Sequence, residues 1–297
     1  MSAPAPSGTV VAGFGRESLV RADGGELLSA TARSRDLQPV CGDRVMLSGV
    51  GGGRAVIEAI DPRRNVFSRS SRHRTKVLAA NVTQVVVLVA CEPSFSDELV
   101  CRLLAAAELA RLPALIALNK TDLASLRDDA LRALEAFRGL GYPLVELAGK
   151  RDAQPLLPYL RRHRSLLAGQ SGMGKSTLVK TLVPEAEVRI REISRFLDSG
   201  RQSTTAARLY ALDDSSEIVD TPGVSEFGLA GLGAREIAAC FREFGPHAAH
   251  CRFQDCRHLS EPGCAVREAT LSGALHPRRL ALYQRIVQQE VGAAEAR

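Results

Sequence analysis

The sequence GQSGMGKS at Gly169–Ser176 constrains the fold of this chain more than any other stretch. It fits the phosphate-loop pattern G-x-x-x-x-G-K-[ST], it follows the apolar run RSLLA, and a helical pattern follows it. Backbone N–H groups of such a loop turn toward phosphate oxygens, and the helix start adds a partial positive charge. A glycine-rich turn that binds nothing is the alternative, but the full pattern in this context favours a nucleotide site.

Every position of this phosphate loop is a candidate nucleotide contact. The side chain of Lys175 is predicted to reach the β and γ phosphates, and the Ser176 hydroxyl is predicted to ligate Mg²⁺. The candidate residues of the loop are Gly169, Gln170, Ser171, Gly172, Met173, Gly174, Lys175, Ser176 and Thr177.

A second nucleotide pattern is DTPG at Asp220–Gly223, directly after the apolar run SEIV. Asp220 is expected to hold Mg²⁺ through water, and the Gly223 N–H is expected to meet the γ phosphate. On its own, a DxxG tetrapeptide is more often a plain turn. It gains weight here because it follows a strand and lies downstream of a phosphate loop.

The tetrapeptide NKTD, Asn119–Asp122, follows the apolar run PALIAL and matches a guanine-reading loop. The Asp122 carboxylate can accept two hydrogen bonds from the N1–H and N2–H₂ edge of guanine, which adenine lacks. Asn119 and Lys120 would support the loop and pack on the base, and Thr121 completes it. As an isolated tetrapeptide, NKTD would more often be a helix cap.

The order of these three patterns is unusual, because the base-reading loop precedes the phosphate loop. Each pattern lies at the carboxyl end of a predicted strand, which is where ligands bind in open α/β sheets. The site needs the three loops together in space, whereas their order along the chain is free to vary. Domain termini are often close, so joining the old ends and opening new ones keeps such a site intact. The order therefore predicts a circularly permuted GTPase.

Strands and helices alternate around these loops from about residue 77 to 232, which predicts a parallel sheet covered by helices. Residues 8 to about 66 instead contain short β-type runs and glycine turns, typical of a small barrel such as an OB-fold. We therefore expect an α/β fold with an OB-fold barrel at 1–66, a permuted P-loop GTPase domain at 67–232 and a small helical domain at 233–297.

The last of these regions contains a candidate metal site with three thiols and one imidazole at close spacing. Its members are Cys251, Cys256, His258 and Cys264. Four such ligands suit tetrahedral Zn²⁺, and a structural metal can supply much of the folding energy of a small domain. The alternative is a set of unrelated buried thiols, and the nearby His247 and His250 are expected to be surface residues.

Charge and composition suggest an RNA partner. The chain carries a net charge of +6, and basic side chains are concentrated near the junction of barrel and GTPase domain and again at 161–164. A solvated face and an RNA-backbone contact explain such runs about equally well, and the neighbouring OB-fold favours RNA. The residues concerned are Arg63, Arg64, Arg69, Arg72, Arg74, Lys76, Arg161, Arg162 and Arg164.

The sequence gives no sign of a membrane segment. Its first ten residues, MSAPAPSGTV, have neither a basic start nor an apolar stretch. The longest apolar run, Val85–Cys91, is too short to cross a bilayer. We therefore expect a cytoplasmic protein without a membrane partner, and nothing in the sequence indicates more than a monomer.

Taken together, these stretches resemble the circularly permuted, ribosome small-subunit-dependent GTPase A family of bacteria, also called the YjeQ/EngC family. The resemblance covers nearly the whole chain and rests on NVTQVVVLVA, LNKTDL, GQSGMGKSTLVK, GRQSTT, DTPGV and the cysteine cluster. It implies an N-terminal OB-fold, a permuted GTPase domain and a zinc domain whose ligands are the four residues named above. It also implies a late-assembly factor that binds the small ribosomal subunit and its rRNA, and whose GTP hydrolysis the subunit stimulates.

Two departures from the family pattern concern hydrolysis and base binding. The family's switch segment usually has a histidine where this chain has Gln202. A glutamine amide can orient water but cannot act as a base near neutral pH. The guanine-backing segment usually reads Ser-Ala, and here it reads Leu147-Ala148-Gly149. The Ala148 N–H can still serve the guanine O6, but the support that the serine gives the loop is lost.

Hydrolysis is expected to be slow without a partner. Ras-like enzymes place a glutamine after DxxG to orient the attacking water, and here the residue is Val224. The expected catalytic residues are Lys175, Gln202 and Thr204. Thr204 is also the expected second protein ligand of Mg²⁺, with the adjacent Thr205 as the alternative.

Three alternatives stay open. The chain could be a nucleotide-dependent RNA-binding module with negligible turnover, a P-loop kinase or ATPase with a chance NKTD, or a permuted GTPase of the large subunit.

Only a short stretch of chain separates the DTPG segment from residues 233–297. We therefore expect the bound nucleotide, GTP or GDP, to determine the position of the zinc domain.

Overall fold

The computed structural model describes residues 6–14, 16–71, 74–185, 207–223, 227–229 and 231–291, and at 69–71 and 74–75 it describes the backbone alone. Some residues singled out in the sequence lie outside the described residues. These are Arg72, Gln202, Thr204, Thr205 and Val224.

Five of the described strands form a closed barrel at the N-terminal end. They are β1 (Ser7–Phe14), β2 (Glu17–Ala22), β3 (Leu27–Ala32), β4 (Arg44–Gly51) and β5 (Arg54–Ile60). Their order is β1-β2-β3-β5-β4, and β1 also pairs with β4, which closes the sheet on itself. The interior is aliphatic, formed by Val10, Val20, Leu28, Ala30, Val45, Leu47, Ala55 and Ile57. The predicted OB-type barrel is confirmed.

A hairpin that the sequence analysis did not predict connects the barrel to the rest of the chain. Its strands are β6 (Val66–Ser71) and β7 (Arg74–Ala80), which pair antiparallel. Phe67 on β6 is buried and lies against Phe227, with ring centroids 5.5 Å apart. The hairpin therefore contacts the segment that follows the DTPG loop.

The central sheet is parallel except at one end. Its strands are β8 (Gln84–Ala90), β9 (Ala114–Asn119), β10 (Leu144–Glu146), β11 (Arg164–Ala168), β12 (Arg208–Ala211) and β13 (Glu217–Asp220). Their order is β10-β9-β8-β11-β13-β12, with β12 antiparallel to its neighbour. β8 and β9 are buried at every position, as expected of strands covered on both faces. Among these strands, β12 is the one that the sequence analysis missed.

The strand that leads into the phosphate loop, β11, lies in the middle of this sheet. Its neighbours are β8, which comes earlier in the chain, and β13, which comes later. The helices that accompany the sheet are α1 (Asp97–Leu109), α2 (Ala124–Ala133), α3 (Leu157–Leu160) and α4 (Lys175–Leu182), with 3₁₀ turns at Glu135–Phe137 and Gln154–Leu156. This arrangement is the permuted order that the three sequence patterns predicted.

The barrel and the central sheet are hydrogen-bonded to each other. β1 pairs antiparallel with β12, with Ala12 opposite Arg208, so the described strands from β10 to β4 form one continuous sheet. The Arg164 guanidinium reinforces this junction, because it donates to the Gly42 carbonyl at 2.8 Å and to the Glu217 carboxylate at 2.7 Å.

The C-terminal region is helical and packs on α1. Its helices are α5 (Ala234–Ala239), α6 (Gly245–Ala248), α7 (Ala265–Leu271) and α8 (Pro277–Glu290). Phe241, Phe244 and Tyr283 form its aromatic core, and Tyr283 meets each of the other two rings edge-on at 5.2 Å. Within the described ranges, no helix combines the length and the apolar character needed to cross a membrane.

Two buried arginines hold α8 against α1. Arg102 on α1 pairs with Glu290 of α8. Arg279 on α8 donates to the Cys101 sulfur of α1 at 3.1 Å, and to Glu243 within the C-terminal region at 2.6 Å. Arg279 also lies over the Phe241 ring at 4.5 Å. Because a buried charge is costly without a partner, these contacts make the docking of the C-terminal region on α1 specific in orientation.

Candidate nucleotide site and metal centre

Asn119 connects the three loops that surround the predicted base pocket. Its side-chain amide donates to the Met173 carbonyl of the phosphate loop at 2.9 Å. Its side-chain oxygen accepts from the Lys120 N–H at 2.8 Å and from the Gly149 N–H at 2.8 Å. The residue is buried at the end of β9, and three of the four hydrogen-bonding positions of its side chain hold the loops together.

We expect Asn119→Ala to weaken GDP binding by roughly 100-fold, about 3 kcal/mol, because it leaves one carbonyl and two N–H groups of the loops without their partner. The dissociation constant by titration calorimetry checks this. Asn65→Ala is the matched control, since Asn65 donates to a distant carbonyl, that of Val82, at 2.9 Å. Equal GDP affinity in the Asn119 variant and the control would contradict the role given to Asn119.

The phosphate loop has glycines where side chains would collide. A Cβ at Gly169 would lie 2.2 Å from the Leu88 carbonyl oxygen of the neighbouring strand. Gly174 has a φ of +93°, and a Cβ there would lie 2.5 Å from the amide nitrogen of Asn119. The loop can therefore pack against β8 and β9 only with glycine at these two positions.

Lys175 is buried at the first position of α4. Its ammonium donates to the carbonyls of Gly169 at 2.8 Å and Gln170 at 2.9 Å, so it lies inside the curve of the loop. Burial lowers the pKa of Lys175, and the negative charge of Asp220 opposes this. A cation held in this position favours binding of an anionic group at the loop.

Asp220 and Ser176 face each other at the magnesium position that the sequence predicts. The Ser176 hydroxyl donates to Asp220 Oδ2 at 3.4 Å. Asp220 Oδ1 is buried and has no hydrogen-bond partner among the described residues. Burial raises the pKa of Asp220, which indicates that its charge is poorly compensated by the protein alone. A hydroxyl beside an unsatisfied carboxylate oxygen fits a hydrated Mg²⁺ ion.

Thr221 fixes the start of the DTPG loop. Its hydroxyl donates to the Leu167 carbonyl of β11 at 2.6 Å, which joins the ends of β11 and β13. Gly223 lies close to the phosphate loop, since a Cβ there would be 3.0 Å from the Ser171 Cα. The predicted γ-phosphate contact therefore lies beside the phosphate loop.

The predicted guanine-reading residues lie together at the ends of β9 and β10. Asp122 is partly exposed, and its carboxylate is 3.6 Å from the Arg151 guanidinium. The Thr121 N–H donates to the Leu147 carbonyl at 3.2 Å, which places Asp122 near the half-buried Ala148. Arg151 was not predicted from the sequence, where nothing distinguishes it from the surrounding basic residues.

Lys120 bridges the base-reading loop and the phosphate loop. Its ammonium donates to the Gly172 carbonyl at 3.0 Å and to the Glu92 carbonyl at 2.7 Å. Lys120 therefore links the two loops, and the packing of its stem on the base stays a prediction.

The remaining phosphate-loop residues differ in their surroundings. Ser171 and Thr177 are exposed, whereas the Met173 side chain is fully buried and contributes to the core. The Gln170 side-chain oxygen accepts from the Ser96 N–H at 3.1 Å, immediately before α1. The loop is thus tied to the helix on which the C-terminal region docks.

The four predicted metal ligands are brought together. One ligand atom from each of Cys251, Cys256, His258 and Cys264 lies within 4.8 Å of the others. His258 Nδ1 is 3.6 Å from Cys251 Sγ and 3.4 Å from Cys264 Sγ. His247 and His250, the nearby competitors, are not members of this group.

The chemistry of this cluster fits a zinc ion. Burial raises the pKa of the Cys256 thiol to about 12, so a cation is needed for it to become a thiolate near neutral pH. Burial lowers the pKa of His258, which keeps the imidazole neutral, as a metal ligand must be. Three thiols, of which those of Cys256 and Cys264 are buried, and one neutral imidazole form the closed donor set of structural zinc sites.

Helix α8 and Glu261 support the cluster from outside. Gln284 donates to the carbonyls of His258 and Leu259, both at 3.1 Å, and Tyr283 donates to the Arg257 carbonyl at 2.6 Å. The Glu261 carboxylate accepts from backbone N–H groups of the same loop, including that of Leu259 at 2.9 Å. The sequence analysis missed these supporting residues because they act through backbone groups that no pattern identifies.

Comparison with known proteins agrees with this geometry. The family model described as RsgA GTPase matches residues 60–230. A protein of Nitrosospira multiformis named "Small ribosomal subunit biogenesis GTPase RsgA" is 44% identical, over 97% of this chain and 92% of that protein. The protein of the same name from Paraburkholderia phytofirmans is also 44% identical, over 95% of this chain and 92% of its own length.

Solved structures give the same result for the fold. YjeQ from Thermotoga maritima superimposes with a TM-score of 0.75 at 29% identity, covering 97% of this chain and 99% of that one. YloQ, described as a circularly permuted GTPase, has a TM-score of 0.70 at 23% identity, covering 99% and 96%. The family model and the relatives named above show a GTP-hydrolysing enzyme rather than the kinase or ATPase alternative. The convergent loops, the permuted strand order and these similarities together show that the chain belongs to the RsgA GTPase family.

Proposed function

We propose that this GTPase acts in the assembly of the small ribosomal subunit, and that binding the subunit stimulates its GTP hydrolysis. The observation that carries the proposal is the extent of the similarity to relatives named for small-subunit biogenesis, 97% of this chain. That extent includes the barrel and the cysteine cluster as well as the nucleotide loops. The name of these relatives favours this function over action on the large subunit.

We propose the following roles for the nucleotide site. The phosphate loop, Gly169–Thr177, surrounds the phosphates with N–H groups, and Lys175 neutralises the β and γ phosphates. Asp122 accepts hydrogen bonds from the guanine edge, and the Ala148 N–H donates to O6. Mg²⁺ is held by the hydroxyls of Ser176 and Thr204, and by Asp220 through water.

Slow intrinsic turnover is part of the proposal. The residue after DTPG is Val224, which has no polar atom to orient water, and Gln202 can orient water without acting as a base. The partner would then supply what the free enzyme lacks, by positioning Gln202 and Thr204 for hydrolysis. The family resemblance supports this division of roles.

We also propose that the C-terminal cluster holds one structural zinc ion and that the domain limits are 1–66, 67–232 and 233–297.

We propose that a change between bound GTP and bound GDP alters the position of the last domain through the residues that follow DTPG. The Phe227 carbonyl accepts from Arg102 at 3.2 Å, and the Leu229 N–H donates to Glu290 of α8 at 3.2 Å. Equal hydrogen exchange of α8 with GDP and with a GTP analogue, on and off the subunit, would contradict this connection.

An RNA-backbone contact is proposed for only part of the basic set. Arg63 donates to the buried Asp43 at 2.7 Å, and Arg164 is engaged with Glu217, so these two are structural. Arg64, Arg161 and Arg162 are exposed around the junction of barrel and sheet. Exposed guanidinium groups at such a junction suit the phosphates of rRNA, without specificity for base sequence.

The test is GTP hydrolysis by the purified protein, alone and with small or large ribosomal subunits, with ATP as a control. We expect stimulation of more than tenfold by small subunits, with GTP only. Stimulation by large subunits instead would contradict the proposed partner. Flat, slow turnover with intact GTP binding would favour the alternative of a nucleotide-dependent RNA-binding module.

A further inference from the structure

A cavity of about 370 Å³ opens on the surface of the C-terminal region, away from the nucleotide loops. Helices α5 and α6 form one side of it with small residues, Ala238, Ala239, Gly245 and Ala248. Because these residues have short side chains or none, they leave a shallow slot between the two helices. The loop between Cys251 and Cys256 forms the other side.

The loop side of this cavity has an exposed aromatic ring. Phe253 is 41% exposed, although aromatic residues make up only 4% of the chain and the other rings of this region are buried. Its position is fixed by the metal cluster, since it lies two residues after one predicted ligand and three before the next. A single exposed ring is common on protein surfaces, so Phe253 gains meaning here only because it lines a cavity together with cationic side chains.

The charged residues that line the cavity are arginines, whereas the carboxylates of Glu236 and Asp255 lie beside Arg235 in the adjoining cavity. Arg235 and Arg242 line it, the Arg252 guanidinium lies 5.5 Å from the Phe253 ring centroid, and no carboxylate is among the described lining residues. Arg242 is neutralised by its pair with Glu108, which leaves the exposed Arg235 and Arg252 as the cations at the rim. An anionic ligand with a flat apolar part complements this surface better than an apolar peptide does.

We infer that this cavity receives an unpaired nucleobase of single-stranded RNA. The base stacks on the Phe253 ring in the slot between α5 and α6, and the flanking phosphates pair with Arg235 and Arg252. Single-stranded RNA is recognised in this way, by stacking of splayed bases on aromatic side chains and by cations along the backbone. The inference rests on the proposed function in one respect: the protein must have a partner that contains RNA.

The experiment uses the full chain, with its zinc content measured, and short single-stranded RNA that contains 4-thiouridine. After irradiation and trypsin digestion, a contact at the cavity gives a cross-link on the peptide FQDCR, Phe253–Arg257, as identified by mass spectrometry. Phe253→Ala should reduce binding and cross-linking about tenfold, since stacking of a base on an aromatic ring has an effect of this size. Phe253→Tyr should restore both, because it keeps the ring.

Tyr159→Ala is the matched control, since Tyr159 is 40% exposed and lies in the GTPase region. We expect it to change RNA binding and cross-linking less than twofold. RNA in which the bases are replaced by abasic sites should bind the wild-type protein more weakly, and Phe253→Ala should not weaken it further.

Three results would overturn the inference. The first is a bound RNA that cross-links elsewhere but never to FQDCR. The second is a Phe253→Ala protein with normal zinc content that binds RNA like the wild type. The third is a Phe253→Ala protein that loses small-subunit binding but keeps RNA binding, which would identify a protein as the occupant. A cross-link on FQDCR without subunit-stimulated hydrolysis would instead count against the proposed function alone.

Discussion

Asp122→Asn is expected to weaken GTP binding on the order of 1,000-fold, about 4 kcal/mol, and to create a preference for xanthosine triphosphate. The carboxylate of Asp122 can accept from both guanine N–H groups, whereas an amide accepts from one and opposes the other with its own donor. In xanthine the exocyclic amine is replaced by a carbonyl, which accepts from that donor. The variant therefore exchanges one complementary pair for another.

Affinities for GTP, xanthosine triphosphate and ATP, measured by competition against a fluorescent nucleotide, check this expectation. Asp128→Asn is the control, because Asp128 is exposed on α2 and its contact is a 3.7 Å pair with Arg127 rather than the base pocket. Both variants remove one negative charge, so a general electrostatic effect would appear in both. Loss of GTP binding without any gain for the xanthine nucleotide would show that Asp122 acts on the loop and not on the base.

Cys264→Ser is expected to abolish zinc binding and to unfold the C-terminal region. The ligand cluster is the point where the loops of this region meet, and a structural zinc site contributes about 10–16 kcal/mol of apparent binding free energy. The net stability of a whole domain is of similar size, about 5–15 kcal/mol, so loss of the metal is enough to unfold a small one. Zinc stoichiometry and hydrogen exchange along the chain measure the effect, which should spare the barrel and the central sheet.

Cys240→Ser is the matched control, because Cys240 is buried in the same region but donates to the Glu236 carbonyl at 3.3 Å outside the cluster. It should keep one zinc ion and normal protection of α8. Burial raises the pKa of the cluster thiol Cys256, so binding of the metal releases protons and its apparent affinity should fall as the pH is lowered. A cluster variant with unchanged zinc content and protection would refute the structural role of the metal.

The nucleotide loops could be predicted because the local geometry of each loop requires particular residue types, whatever the rest of the fold is. Glycine is needed where Gly169 packs on Leu88, and a cation is needed where Lys175 lies inside the phosphate loop. The continuous apolar runs of β8 and β9 were also visible, since strands covered on both faces have no polar alternation. The permuted order followed from the motifs alone.

Other features depend on distant contacts and could not be predicted. Arg63 and Arg164 belong to runs that resemble a solvated face, yet each is committed to an acidic partner far away in the sequence. Arg102 and Arg279 sit in helices where arginine is usually exposed, and both are buried between α1 and the C-terminal region. Strand β12 has four residues, too few for a periodic signal, and is a strand because β13 and β1 pair with it.

The pairing of β1 with β12 has a consequence for dissecting this protein. A chain shortened to begin after the barrel would keep β12 but lose β1, whose Ala12 pairs with Arg208, and would expose the outer edge of the nucleotide sheet at that strand. Such a border recruits strands from other molecules, so the shortened protein is expected to self-associate even if its nucleotide pocket is intact. The barrel is thus expected to prevent self-association of the enzyme, in addition to its proposed role in RNA binding. A loss of activity after its removal would therefore not by itself show that RNA binding had been lost.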